Sequence, residues 1–121
     1  MLVRVINHTH PYSPWITAKY CDRFFCRLKG LMFSSALDEK EGLLLVEAGD
    51  SRIGASIHML FMRFDIGAVW INSSMKVVDQ KLAHRWQSNL MPSAPAKYIL
   101  EVHPSQLKNF HIGDEISFEP L

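Results

Sequence analysis

Within the most apolar stretch of the chain, Ser56 to Asn72, three side chains are equipped for chemistry: His58, Arg63 and Asp65. An imidazole is the ordinary acid or base near neutral pH. A guanidinium and a carboxylate in apolar surroundings must hold either a ligand's charges or each other's. On an extended backbone Met59, Phe61, Arg63 and Asp65 share one side, and His58, Leu60, Met62 and Phe64 share the other. Arg63 and Asp65 are therefore expected to pair at a strand end, while His58 and Asp65 face apart and make no acid–base unit. Arg27, at the expected end of a helix, is a further anion contact. The ligand-binding candidates are thus Arg27, His58, Arg63 and Asp65. The plainer alternatives are a histidine satisfied by a backbone carbonyl and an ion pair that reaches water.

Other chemistry finds little support. P-loop, GxGxxG, HExxH and GxSxG motifs are absent, so no catalytic residue is assigned. Cys21 and Cys26 lie five apart in what reads as a helix, which puts them on different faces, and two free thiols are expected rather than a disulfide. With no CxxC, a zinc or iron–sulfur site is not expected either. Met32, Met59 and Met62 near His58 are soft donors for a cuprous ion but are more simply core filler. His8 and His10 would share a side of an extended chain, yet they fall in the proline-punctuated stretch from Asn7 to Pro14, which reads as a solvated loop. No metal and no cofactor are expected.

These residues need elements to position them. The run from Ser56 to Asn72 is apolar on both parities, as in a strand covered on both faces, and the break at Asp65 to Gly67 divides it into two strands. Leu2 to Ile6, Leu43 to Val46, Tyr98 to Val102 and Glu115 to Phe118 read as further strands. Ser73-Ser74 joins Trp70–Asn72 to Met75–Leu82 as a hairpin. Tyr20, Phe24 and Leu28 recur every four residues, with Thr17 as cap and Gly30 as stop, and predict one amphipathic helix over Thr17 to Lys29. Pro104 to Phe110 suggests a helical turn, and Trp86 lies in a surface crossing from His84 to Ala96. The fold class that follows is mainly β: a small β-sandwich or partly closed β-barrel of about seven short strands, with the α-helix over one opening.

The chain has 121 residues, 48% hydrophobic and 21% charged, which fits one domain spanning residues 1–121. A net charge of +1 draws it neither to nucleic acid nor to an anionic membrane. Without an apolar run of about 18 residues or a signal-like N-terminus, a cytoplasmic location is expected. The sequence sets no oligomeric state.

Arg27-Leu28-Lys29-Gly30-Leu31-Met32-Phe33, Gly42-Leu43-Leu44-Leu45-Val46, Ser56-Ile57-His58-Met59-Leu60-Phe61-Met62-Arg63-Phe64, Val69-Trp70-Ile71-Asn72 and Ala96 to Val102 with Gly113-Asp114 occur in that order. The succession resembles the bacterial and archaeal family called domain of unknown function 192 over about residues 15 to 119. The resemblance implies a mainly β fold with one helix, and brings no activity, cofactor or catalytic residue with it. Where related sequences continue Phe-Pro-Ile-Asp, this chain has Phe64-Asp65-Ile66-Gly67, with the acid moved by two residues along the same strand face. The expected function is a small-molecule-binding or accessory module. Its alternatives are a small enzyme using a His/carboxylate pair, and a protein-partner module with an apolar patch around Trp86 and Met91.

Overall fold

The computed structural model describes every residue except 24, 25, 28, 29, 32 and 33. Among the described residues seven strands form: β1 (Leu2–Asn7), β2 (Ile16–Cys21), β3 (Glu41–Ser51), β4 (Ile66–Ile71), β5 (Val77–Ala83), β6 (Ala96–Val102) and β7 (Ile116–Pro120). They make one sheet in the order β5-β4-β6-β3-β2-β1-β7, antiparallel throughout except where β2 runs parallel to β3. The mainly β expectation holds, in the form of a single sheet that does not close into a barrel. Its ends meet at the Lys76–Glu115 bridge, where the Val77 amide donates to the Asp114 carbonyl and the Gly113 amide to that of Val77.

The central strands are buried on both faces, because alternate residues serve two cores. Leu43, Leu45, Ala68, Trp70 and Ile99 pack in one; Leu44, Val46, Val69, Ile71, Leu100 and Val102 pack in the other. All six residues of β4 are buried, as its apolar pattern predicts. The Trp70 indole N–H donates to the Ala55 carbonyl at 2.7 Å, which fastens the 52–65 segment over the first core. A short 3-10 helix, Pro104–Asn109, begins with proline as expected and lies against β4 at Gly67. A Cβ there would come within 2.7 Å of Leu107 Cγ, so only glycine admits that approach.

Three sequence expectations are corrected. Thr17 does not cap a helix: Ile16–Cys21 is strand β2, with Ile16 and Ala18 buried in the second core and Lys19 facing out. The alternation of Ile16 and Ala18 outweighed the Tyr20, Phe24, Leu28 spacing because β1 and β3 flank the segment and both pair with it. Between residues 17 and 30, helical backbone is confined to Cys26 and Arg27 among the described residues, and Gly30 follows with a φ of 50°. Part of the expected helix lies outside those residues. Second, Ile57 to Phe64 is not a strand. Among the described residues it makes one isolated bridge, Ile57 with Leu90 of the crossing outside the sheet's strands, and both Met59 and Met62 are buried, which breaks strict alternation.

Cys21 and Cys26 form a disulfide with Cα atoms 5.6 Å apart, against the expectation of free thiols. That expectation required both cysteines on one helix. Cys21 ends β2 instead, and the two sulfurs meet.

Candidate functional site

Glu101 sits in the middle of the sheet. On β6 it shares a face with Ile99, flanked by Leu43 of β3 on one side and Ala68 of β4 on the other. Backbone amides on both sides are committed to the strand ladders, and the neighbouring side chains are apolar. Glu101 is only 5% exposed, and its Oε1 has no hydrogen-bond partner among the described residues. Burial pushes its carboxyl up from 4.5 to about 7. A buried acid left this way is costly to the fold and is where a site is to be sought.

Glu101 opens on a cavity of about 80 Å³ between the sheet and two covering segments. One carries Arg27 and Leu31; the other carries Ser56, His58 and Met62. The Arg27 guanidinium donates through Nη1 to the carbonyls of Asp22 and, at 3.3 Å, of Val46, and its Nε lies 3.8 Å from Glu47 Oε1. The Cys21–Cys26 disulfide ties the segment carrying Arg27 to the end of β2. Gly30 closes against the acid: a Cβ there would lie 3.7 Å from Glu101 Oε1. His58 is exposed at the rim, where its Nδ1 accepts the Leu60 amide at 3.3 Å. The cavity thus combines an acid near its titration point, a guanidinium, a second carboxylate and an imidazole.

Of the four residues singled out in the sequence, the structure brings Arg27 and His58 together and leaves Arg63 and Asp65 outside. No Arg63–Asp65 ion pair forms among the described residues, because the segment is a loop rather than the strand that would have aligned them. Asp65 accepts the Arg85 amide at 2.8 Å and faces His84 Nδ1 at 3.3 Å. The Arg85 amide bond lowers its carboxyl below the usual range, opposed by burial and aided by His84. Arg63 is exposed in an open groove with Phe61, Arg85 and Trp86. There the rings of Phe61 and Trp86 meet edge-on at 5.3 Å, both residues at positive φ.

Glu101 and Glu47 are the residues that sequence reasoning missed. The available signal was an acid inside the apolar run Ile99-Leu100-Glu101-Val102, on the parity of Ile99.

A family model described as uncharacterized ACR, DUF192, matches residues 5–118. A UPF0127 protein of Thermococcus kodakarensis, TK1120, is 35% identical over 118 residues, which cover 96% of this chain and 73% of the relative. UPF0127 protein PF1050 of Pyrococcus furiosus is 38% identical over 97 residues, covering 80% of each chain. Among solved structures, a protein of Sinorhizobium meliloti 1021, named provisionally as a transcription regulator, superposes with a TM-score of 0.84 at 17% identity, over 97% of this chain and 92% of its own. A protein of unknown function from Novosphingobium aromaticivorans does so with a TM-score of 0.80 at 16% identity, over 97% and 84%. At such identities these two likenesses establish the fold alone. No helix among the described residues is long and apolar enough to cross a membrane.

Proposed function

The chain belongs to the DUF192 family, and for this member we propose a small-molecule-binding role, with the site in the Glu101 cavity. The observation that carries it is the buried Glu101 Oε1 with no partner among the described residues, aimed into a space shared with Arg27 and His58. A ligand that brings an N–H or O–H donor would supply the missing hydrogen bond and stabilise the carboxylate. The space of about 80 Å³ admits the amine or hydroxyl end of a small metabolite rather than a whole drug-sized molecule. Arg27 already faces Glu47, so an anionic group is the weaker fit. A net charge of +1 favours no nucleic-acid partner.

The test is a thermal-shift screen of wild type and Glu101→Gln against small amines, polyols and carboxylates. Amines or polyols should raise the melting temperature of wild type and leave Glu101→Gln unmoved. If nothing shifts wild type, or the active compounds shift both proteins equally, the assignment fails. A carboxylate acting through Arg27 would reverse the ligand class.

A second reading, acid–base catalysis, is favoured by one feature: Glu101, pushed to about 7, shares the cavity with His58. It calls for turnover that Glu101→Gln and His58→Ala each abolish. We place the protein in the cytoplasm, where the Cys21–Cys26 bond would be largely reduced. Rapid alkylation in intact cells reads this: a fully bonded pair there points to an oxidising compartment.

A further inference from the structure

At the seam where the two sheet ends meet, the loop after β1 runs beside the turn into β7, and three side chains converge. Asp114, 3% exposed, has its Oδ1 3.3 Å from His10 Nε2 and its Oδ2 3.6 Å from His111 Nδ1. The two imidazole rings lie 4.8 Å apart, centroid to centroid. One ligand atom from each residue falls within 4.8 Å of the other two. We propose that His10, His111 and Asp114 form a binding site for a divalent first-row transition ion of the zinc class.

The geometry is close to what such an ion requires. Bonds of about 2.0 to 2.2 Å place ligand atoms roughly 3 to 4 Å from one another, so a small rotation of the two exposed rings suffices. The carboxylate is held from behind. Its Oδ2 accepts the Asn7 side-chain amide at 2.8 Å and the His111 backbone amide at 2.8 Å. The Asn7 Oδ1 accepts the backbone amides of Thr9 at 3.0 Å and His10 at 3.1 Å. One buried asparagine therefore orients both the acid and the turn that presents His10, as outer-shell partners do around metal ligands. An ordinary ion pair would account for one histidine beside the acid; two rings about a single carboxylate are a ligand set.

Two imidazoles and one carboxylate suit zinc, cobalt, nickel or ferrous ions, whereas calcium and magnesium prefer oxygen ligands throughout. Three protein ligands leave a position for water or for a ligand atom. His10 also lines an open groove with Tyr12, Pro14 and Asn109, from which such a ligand would approach.

The test uses the full chain, stripped with chelator, and titrates it with Co2+ by visible absorption and with Zn2+ by calorimetry at pH 7.5. Wild type should take up one equivalent. His10→Ala and His111→Ala should each weaken uptake at least tenfold while melting without metal like wild type, since both side chains are exposed. His8→Ala is the control: His8 engages Ser117 Oγ at 2.7 Å and should leave uptake unchanged. Excess Mg2+ should not compete. Absence of saturable one-to-one uptake by wild type, or uptake that either variant leaves intact or that His8→Ala reduces equally, would overturn the assignment.

Discussion

Two carboxyl groups are almost equally buried, at 5% for Glu101 and 3% for Asp114, yet their environments drive them in opposite directions. Glu101 stands near the end of β6 between Leu43 and Ala68, where flanking strands use the backbone amides, and burial acts to raise it. Asp114 stands in a turn. Burial pushes it up too, but the Asn7 side chain, the His111 amide, and the charges of His10 and His111 outweigh that and hold it below the usual carboxylate range. Low exposure therefore does not by itself fix the state of these two acids: Glu101 lies deep against the sheet with Oε1 unpaired among the described residues, whereas Asp114 lies in a turn that supplies donors.

Removing those donors breaks the contrast with the largest expected effect. Asn7→Ala leaves the buried Asp114 without its side-chain donor and the amides of Thr9 and His10 without their acceptor, so we expect a loss of roughly 3 kcal/mol in chemical denaturation. A loss below about 1 kcal/mol would show that Asn7 does not support the acid.

The opposite intervention neutralises Glu101. The folded state holds the Glu101 proton up to about pH 7, while the unfolded state releases it near 4.5, so across that window the native form binds more protons and stability falls as pH rises. Glu101→Gln removes this dependence. Relative to wild type the variant should gain roughly 2 to 3 kcal/mol on going from pH 5 to pH 8, measured by urea denaturation without ligand. A stability gap that stays flat with pH means that Glu101 titrates normally.

The lid over Glu101 offers a third handle. Opening the disulfide with Cys21→Ser and Cys26→Ser together should cost about 2 kcal/mol, as for a short closed loop. It should also admit water to the cavity and shrink the pH effect at Glu101. The smallest change is expected from Arg63→Met, within about 0.5 kcal/mol, because Arg63 is exposed and belongs to neither acid. A loss of several kcal/mol there would restore the buried ion pair that the loop conformation removes.

Much of the sheet was legible in the residues. The double-faced burial of Ile66–Ile71 follows from apolar residues on both parities, the β4–β5 turn from Ser73-Ser74, and the 3-10 helix from Pro104. The structure adds that the Asn72 side chain accepts the amides of Ser74 and Lys76. Of the side chains named from the sequence, Arg27 and His58 line the cavity at Glu101. Arg63 and Asp65 failed for a single reason: their pairing depended on a strand, and Ile57 to Phe64 takes its shape from burying Met59 and Met62, not from a ladder.

What the sequence by itself determined is the class of the fold, because alternation and apolar runs record how many faces each strand buries. What only the tertiary structure decided is which segment became β2 and which charged groups meet. Ile16–Cys21 carries signals for both helix and strand, and the neighbours β1 and β3 settle it by offering ladder partners on both sides. Glu101 comes to share a cavity with Arg27, and Asp114 lies beside His10, across sequence separations that no local pattern encodes. The acids differ because the assembled sheet leaves Glu101 Oε1 without a donor among the described residues and the turn gives Asp114 several.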